Sequence, residues 1–202
     1  MEVSGGADSV VLCSLWLQCG YEISIANWNF NLRGEESNRD EAFVKKTGEQ
    51  YGVKVFIKHF DTLSLSKQNK TSIEETARNL RYDWFKELMT ESAQAGNNPF
   101  KFLLTGHHAD DNIETVMMNF FRGTGVKWMR GILQKQGKIV RPLLFATRKK
   151  IEEYAAVNNI SFVTDSSNAE NNYTRNFFRN DLIPAVEKVF PQASQNVLRN
   201  IE

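Results

Sequence analysis

The chain has 202 residues, 41% hydrophobic and 24% charged, which suits one α/β domain with an appendage and a true apolar core. No apolar run reaches the roughly 18 residues of a membrane span, and no charged segment leads into an apolar stretch at the start. A bilayer helix and a signal peptide are thereby excluded, and a cytoplasmic protein is expected. The net charge of +1 selects no partner. In chain order, a glycine-rich loop at residues 4–9 runs into a helix over 10–18, and an apolar strand over 23–28 ends in a polar turn at 29–35. A helix follows over 37–51, with Ser37 as its N-cap, then a strand over 53–57 and a polar loop at 67–70. Residues 71–93 form a long helix: Thr71 and Glu74 fit a capping box, and Ala77, Leu80, Trp84 and Leu88 give its apolar stripe. Gly96-Asn97-Asn98-Pro99 ends it, before a buried strand at 102–105 and a helix at 112–121. From Ile139 the chain reads as a strand, a helix over 148–158, a turn at Asp165-Ser166-Ser167-Asn168 and a helix from about Arg175.

Alternating strands and helices predict an α/β fold with a doubly wound parallel sheet and a small helical C-terminal extension. Ligands of such sheets bind beyond the carboxyl ends of the strands. Segments 4–9, 27–35 and 105–114 all follow predicted strands and are expected to meet there. Only Met1 to Val3 precede Ser4, fewer than the about 5–6 residues of an ordinary strand. The first strand is therefore expected to be truncated. Cys13 and Cys19 share one predicted helix without a partner at ligand spacing and read as reduced core thiols.

Ser4-Gly5-Gly6-Ala7-Asp8-Ser9, between strand and helix, can cradle phosphate. Glycines accept positive φ and let backbone N–H groups approach an anion, Ser4 and Ser9 add hydroxyls, and the helix N-terminus adds a favourable dipole. Asp8 would repel phosphate, so its useful role is to hold a metal ion such as Mg²⁺ or to orient the loop. The lysine-bearing P-loop is missing from the chain. A second motif is Thr105-Gly106-His107-His108-Ala109-Asp110-Asp111-Asn112-Ile113-Glu114-Thr115. Spacings of four and three place His107, Asp111 and Glu114 on one helical face, suited to a metal or an ammonium group, with surface capping as the plainer reading.

Charge is unevenly spread. Residues 122–150 carry nine basic and no acidic side chains, which leaves 16 basic against 24 acidic residues elsewhere. Such a block suits a polyanion, or is a solvated stretch.

The glycine loop resembles that of the N-type ATP pyrophosphatases, the PP-loop family, whose members split ATP between the α and β phosphates. His107 to Thr115 followed by Arg122-Gly123-Thr124-Gly125 resembles the tRNA(Ile)-lysidine synthetase family. Asn31-Leu32-Arg33-Gly34-Glu35-Glu36-Ser37, Ala77-Arg78 with Arg81-Tyr82, and Arg141-Pro142-Leu143-Leu144 carry the same resemblance. So do Asp165 to Asn168, Tyr173, Arg175-Asn176, Arg179 and Pro184, so that it covers nearly the whole chain.

The resemblance implies a ligase that adenylates the 2-carbonyl oxygen of the wobble cytidine in a minor isoleucine tRNA with a CAU anticodon. Free L-lysine then displaces AMP. ATP with Mg²⁺ would lie on residues 4–9, with Asp8 as the metal ligand. Asp111 and Glu114 would hold the lysine, His107 would orient it, and Arg175 or Arg179 would neutralise the adenylate. Arg33, Arg78, Arg81, Arg122, Lys127 and Arg130 would meet tRNA, and Trp28 or Trp128 would stack on a flipped base. Where family members carry loop histidines this chain has Asn27 and Asn31. The implied organisation is a PP-loop ATP pyrophosphatase domain over 1–145 and, over 146–202, the rest of the catalytic domain with the start of a linker helix. Further tRNA-binding domains would be missing, and homodimerisation stays open. Alternatives are another PP-loop tRNA enzyme that introduces sulfur, and a non-catalytic nucleotide- or RNA-binding module.

Overall fold

A computed structural model describes residues 1–96, 98–125, 129–164 and 174–201. Helix α1 (Ala7–Gln18) begins at the glycine loop, and strands β1 (Ile25–Asn29) and β2 (Val55–His59) flank α2 (Glu35–Tyr51). Helices α3 (Thr62–Asn69) and α4 (Ile73–Gln94) precede β3 (Leu103–Leu104) and α5 (Ala109–Phe121). A short hairpin of β4 (Lys135–Gln136) and β5 (Ile139–Val140) leads to α6 (Arg148–Val157). Helix α7 (Thr174–Phe177), a π-turn (Phe178–Leu182), α8 (Ile183–Val189) and α9 (Ala193–Ile201) form the C-terminal extension.

β1 runs parallel to β2, with Ile25 opposite Val55. β3 runs parallel to β5, which pairs antiparallel with β4. Residues 1–3 join the two groups. The Val3 N–H donates to the Ala26 carbonyl at 3.1 Å, the Ala26 N–H to the Met1 carbonyl at 2.8 Å and the Glu2 N–H to the Leu104 carbonyl at 2.9 Å. The spatial order is therefore β2, β1, residues 1–3, β3, β5, β4. The three residues expected to leave a deficient strand thus occupy the centre of the sheet, bonded on both sides, with Val3 fully buried.

Successive side chains of β1 point to opposite faces. Ile25 packs with Val3, Val10, Cys13 and Val44 beneath α1 and α2. Ala26 packs with Phe60, Trp84, Phe85 and Leu103 beneath α4. Helices therefore cover both faces, as expected of a doubly wound sheet. On α4 the stripe is read correctly, since Leu80 and Leu88 join Trp84 in this second cluster.

Several boundaries shift for local reasons. α2 starts before Ser37, with Gly34 at φ 52° and ψ −120°, a backbone that glycine adopts with little strain. α4 starts at Ile73 because Ser72, not Thr71, accepts the Glu75 N–H at 3.1 Å. Thr71 instead bonds Thr76 through its hydroxyl at 2.7 Å. Residues 62–69, part of which reads as loop, form α3 because the Asp61 side chain caps it, accepting the Ser64 N–H at 3.2 Å. Of the two cysteines, Cys13 is buried as expected but Cys19 is exposed at the end of α1.

From the central segment the chain winds outward to β2, then crosses to β3 on the other side. The loops leaving residue 3 and β3 therefore diverge at a topological switch point, where a crevice opens.

Candidate active site

Gly5 holds φ +97°, which a side chain would strain. The Ser4 N–H donates to the Ser9 hydroxyl at 3.2 Å, and that hydroxyl donates to the Gly6 carbonyl at 3.0 Å, so the loop is closed by its own serines. Gly6 caps α1 with no side-chain hydrogen bond, which leaves the first-turn N–H groups for an anion. Gly106 packs against this loop from the β3 side. A Cβ there would lie 3.2 Å from the Asp8 carbonyl carbon and from the Ser9 nitrogen. Gly106→Ala is accordingly expected to displace the loop, lowering stability by about 1–3 kcal/mol and weakening ATP binding, read by thermal unfolding and nucleotide titration.

Helix α5 begins at Ala109, and the His108 N–H donates to the Asp111 carboxylate at 3.0 Å. His107 therefore precedes the helix and does not share a helical face with Asp111 and Glu114. It is placed by the loop instead, with Nδ1 2.9 Å from the Thr105 hydroxyl. Burial drives the His107 pKa down to about 4 although Asp111 opposes it, so the imidazole is neutral at pH 7. Burial would raise the Asp111 carboxyl, but the charge of His108 and the backbone bond from His108 hold it below its usual value. His108 resists charging because it is buried, yet Asp110, Asp111 and Asp8 together raise its pKa.

Glu114 is 1% exposed in its side chain and bound by two arginines. Arg179 Nε lies 2.6 Å from Oε1 and Nη2 3.2 Å from Oε2, the fork of a bidentate ion pair. Arg175 Nε lies 3.4 Å from Oε2, and its Nη2 donates to the Thr115 hydroxyl at 2.9 Å. Arg179 Nη2 is also 3.4 Å from Asp111 Oδ1. Burial raises the Glu114 carboxyl despite Arg179.

Two pockets flank the glycine loop, of about 160 Å³ and 250 Å³. Glu2, Arg81, His107, Asp111 and Arg175 line the first; Arg33, Asp40, Arg148, Phe162 and Arg179 line the second. Ser4 and Asp8 belong to both. Asp8 Oδ1 is buried without a hydrogen-bond partner, so it fits a Mg²⁺ ion held by one carboxylate plus phosphate and water oxygens. Among the described residues no group of three or more His, Cys, Asp or Glu forms an all-protein metal cage.

Sequence reasoning missed Glu2, Asp110 and Arg148 in this crevice. Glu2 Oε1 lies 3.2 Å from Arg81 Nη1, whose guanidinium stacks 5.1 Å from the Trp28 ring centroid and 5.2 Å from that of Tyr82. Asp110 accepts the Arg148 N–H at 2.8 Å and ties α5 to α6. The HH-x-DD string contained Asp110 but gave no sign of a partner 38 residues away.

Of the residues expected to meet tRNA, Arg33 and Arg81 lie in the two pockets. Arg78 is exposed beside Tyr82, 5.3 Å from its ring centroid, and Arg122 and Arg130 are exposed. Lys127, Trp128, Tyr173 and the turn at 165–168 lie outside the described residues. Trp28 is not an open platform, because Phe30, Phe85 and Arg81 pack around it. Arg141 leaves the basic surface: it is 7% exposed and donates to the Leu133 carbonyl at 2.7 Å. No helix among the described residues is long and apolar enough to cross a membrane.

The tRNA(Ile)-lysidine synthase of Bacteroides thetaiotaomicron is 40% identical over 196 residues, covering 97% of this chain and 45% of the relative. That of Chlorobaculum tepidum is 41% identical over 207 residues, covering the whole chain and 60% of the relative. The chain thus spans about half the length of these curated relatives. Among solved structures, the U34-tRNA thiolase NcsA from Methanococcus maripaludis superposes over the whole chain and 70% of its own, with a TM-score of 0.73 at 21% identity, a likeness of fold. A family described as the PP-loop domain matches residues 1–186. With that match lying over the glycine loop, the central sheet and both pockets, the chain belongs to the PP-loop domain family.

Proposed function

We propose that this domain ligates free L-lysine to C2 of the wobble cytidine in an isoleucine tRNA with a CAU anticodon, at the expense of ATP. The cytidine 2-carbonyl oxygen bonds to the α-phosphorus, and pyrophosphate leaves with the electron pair of the broken P–O bond. Once the lysine ε-ammonium has given a proton to water, the free amine bonds to C2 and AMP leaves with the C2–O electron pair. One observation carries this reading: Asp111, a carboxylate held ionised, faces the same pocket as Ser4 and Asp8. It would hold the lysine ammonium beside the phosphate loop, and neutral His107 adds no charge to repel it. Glu114 would act through Arg175 and Arg179, setting those cations next to the developing adenylate charge.

Asp8 would hold Mg²⁺, which screens the triphosphate and the pyrophosphate leaving group when bound. Asp8→Asn is expected to weaken ATP binding about tenfold or more in the presence of Mg²⁺ and to change it little in its absence, as measured by titration calorimetry. The similarity to lysidine synthases along nearly the whole chain supports the same substrates.

Sulfur transfer is the weaker reading. The chain's two cysteines are a buried Cys13 and an exposed Cys19, which do not face one another across a site. The deciding experiment incubates the protein with ATP, Mg²⁺, labelled lysine and CAU-anticodon tRNA(Ile). Label should enter tRNA with one AMP formed per lysine. Absence of label from every tRNA, while ATP is cleaved to AMP, would overturn the proposal.

A further inference from the structure

Phe145 is held outward beside the candidate site. It is 77% exposed, whereas its neighbours Leu144 and Ala146 are buried at 7% and 6%. Backbone bonds fix the turn that carries it. The Ala146 N–H donates to the Leu143 carbonyl at 2.9 Å, and the Ala109 N–H donates to the Ala146 carbonyl at 2.9 Å. Just beyond, the Arg148 N–H donates to Asp110 Oδ2 at 2.8 Å. The turn is thus tied to the first turn of α5, which also carries Asp111. Turning the ring inward would break these bonds, so its apolar surface stays in water, an arrangement that folding alone does not favour.

The surroundings of the ring are basic. Arg148, Lys149 and Lys150 follow it closely in the chain, and no acidic residue occupies that first turn of α6. Arg148 meets Glu152 at 2.9 Å and Lys149 meets Glu153 at 4.0 Å, exposed contacts that hold little against a polyanion. An exposed ring among cations suits an unpaired nucleobase, which stacks on the ring while its phosphates meet the cations. Protein interfaces are depleted in lysine, so a second copy of the chain fits this surface less well. We infer that Phe145 is the stacking platform for an anticodon-loop base next to the reacting cytidine. The inference rests on the tRNA substrate proposed above. The cytidine itself has to reach the glycine loop between the two pockets, and Phe145 lines neither of them. The base on Phe145 is therefore a neighbour, and stacking it holds the loop in register. Phe145 thereby takes the part that Trp28, packed by Phe30, Phe85 and Arg81, is too enclosed to play.

The test is fluorescence anisotropy of a labelled CAU-anticodon stem-loop titrated with the whole chain, beside a fully paired RNA of equal length. Phe145→Ala is expected to raise the Kd for the stem-loop at least about fivefold and that for the paired RNA less than about twofold. Phe145→Tyr keeps a ring and should bind like the parent. Phe145→Leu, apolar but without a ring, should lose affinity as alanine does. Salt dependence separates the ring from the cations. Lys150→Ala should weaken both RNAs and flatten the slope of log Kd against log salt, whereas Phe145→Ala should leave that slope unchanged. An unchanged stem-loop Kd in Phe145→Ala, an equal loss for the paired RNA, or no stem-loop binding by the parent would overturn the inference. A dimer in sedimentation that Phe145→Ala dissociates would assign the ring to a second copy and overturn it likewise. Neither titration needs ATP or lysine. Failed lysine transfer alongside the expected stem-loop losses would overturn only the lysine reading.

Discussion

Replacing Asp111 with asparagine is expected to lower lysine transfer by at least about 10²-fold while leaving ATP affinity within about threefold of the parent. The two side chains are nearly isosteric, and the asparagine carbonyl can still accept the His108 N–H that Asp111 now accepts at 3.0 Å. Helix α5 therefore keeps its start, and Arg179 keeps its bidentate partner Glu114. What disappears is one negative charge in the pocket that also contains Ser4 and Asp8. An ammonium brought there would lose its counter-ion in partly desolvated surroundings, where such pairs are strong. The loss should fall on the KM for lysine and on transfer, not on nucleotide binding. Labelled-lysine kinetics beside ATP titration decide it, and an unchanged transfer rate removes Asp111 from the lysine site.

Replacing Glu114 with alanine is expected to cost about 3–5 kcal/mol of stability, because it leaves two arginines facing an empty buried site. Glu114 is 1% exposed in its side chain, whereas Arg179 keeps 22% and Arg175 41% exposure, so part of the penalty is relieved by water and the lower figure is favoured. This ion cluster links α5 to α7 and the π-turn, so the damage should concentrate in residues 174–201. Urea unfolding measures the total, and limited proteolysis locates it. A shift below about 1 kcal/mol would mean that the arginines find other partners.

The glycine loop was legible because its chemistry is local: the conformation of Gly5, the serine hydroxyls and the helix start all lie within residues 4–9. Residue spacing misplaces His107 because it extends a helix from 112 backwards, whereas His108 is the true N-cap. No local pattern announces that Glu114 belongs to Arg179, since they lie 65 residues apart and meet only when the C-terminal helices fold over α5. Glu2 was invisible for a similar reason, being one carboxylate on a very short strand whose partner Arg81 comes from a helix packed across the sheet. Along the sequence, residues 122–150 read as one basic block. Folding sends Arg141 inward and Arg148 to the phosphate loop, because charge counted along a sequence carries no information about which way each side chain turns.

The contact between Gly106 and the start of α1 has a thermodynamic consequence. Two loops from different strands already touch there, so closely that an added methyl group would push the neighbouring backbone by a few tenths of an ångström. The conformational freedom that a mobile site surrenders when its ligand arrives has here been surrendered during folding. Nucleotide binding to this floor should therefore show a small entropic penalty.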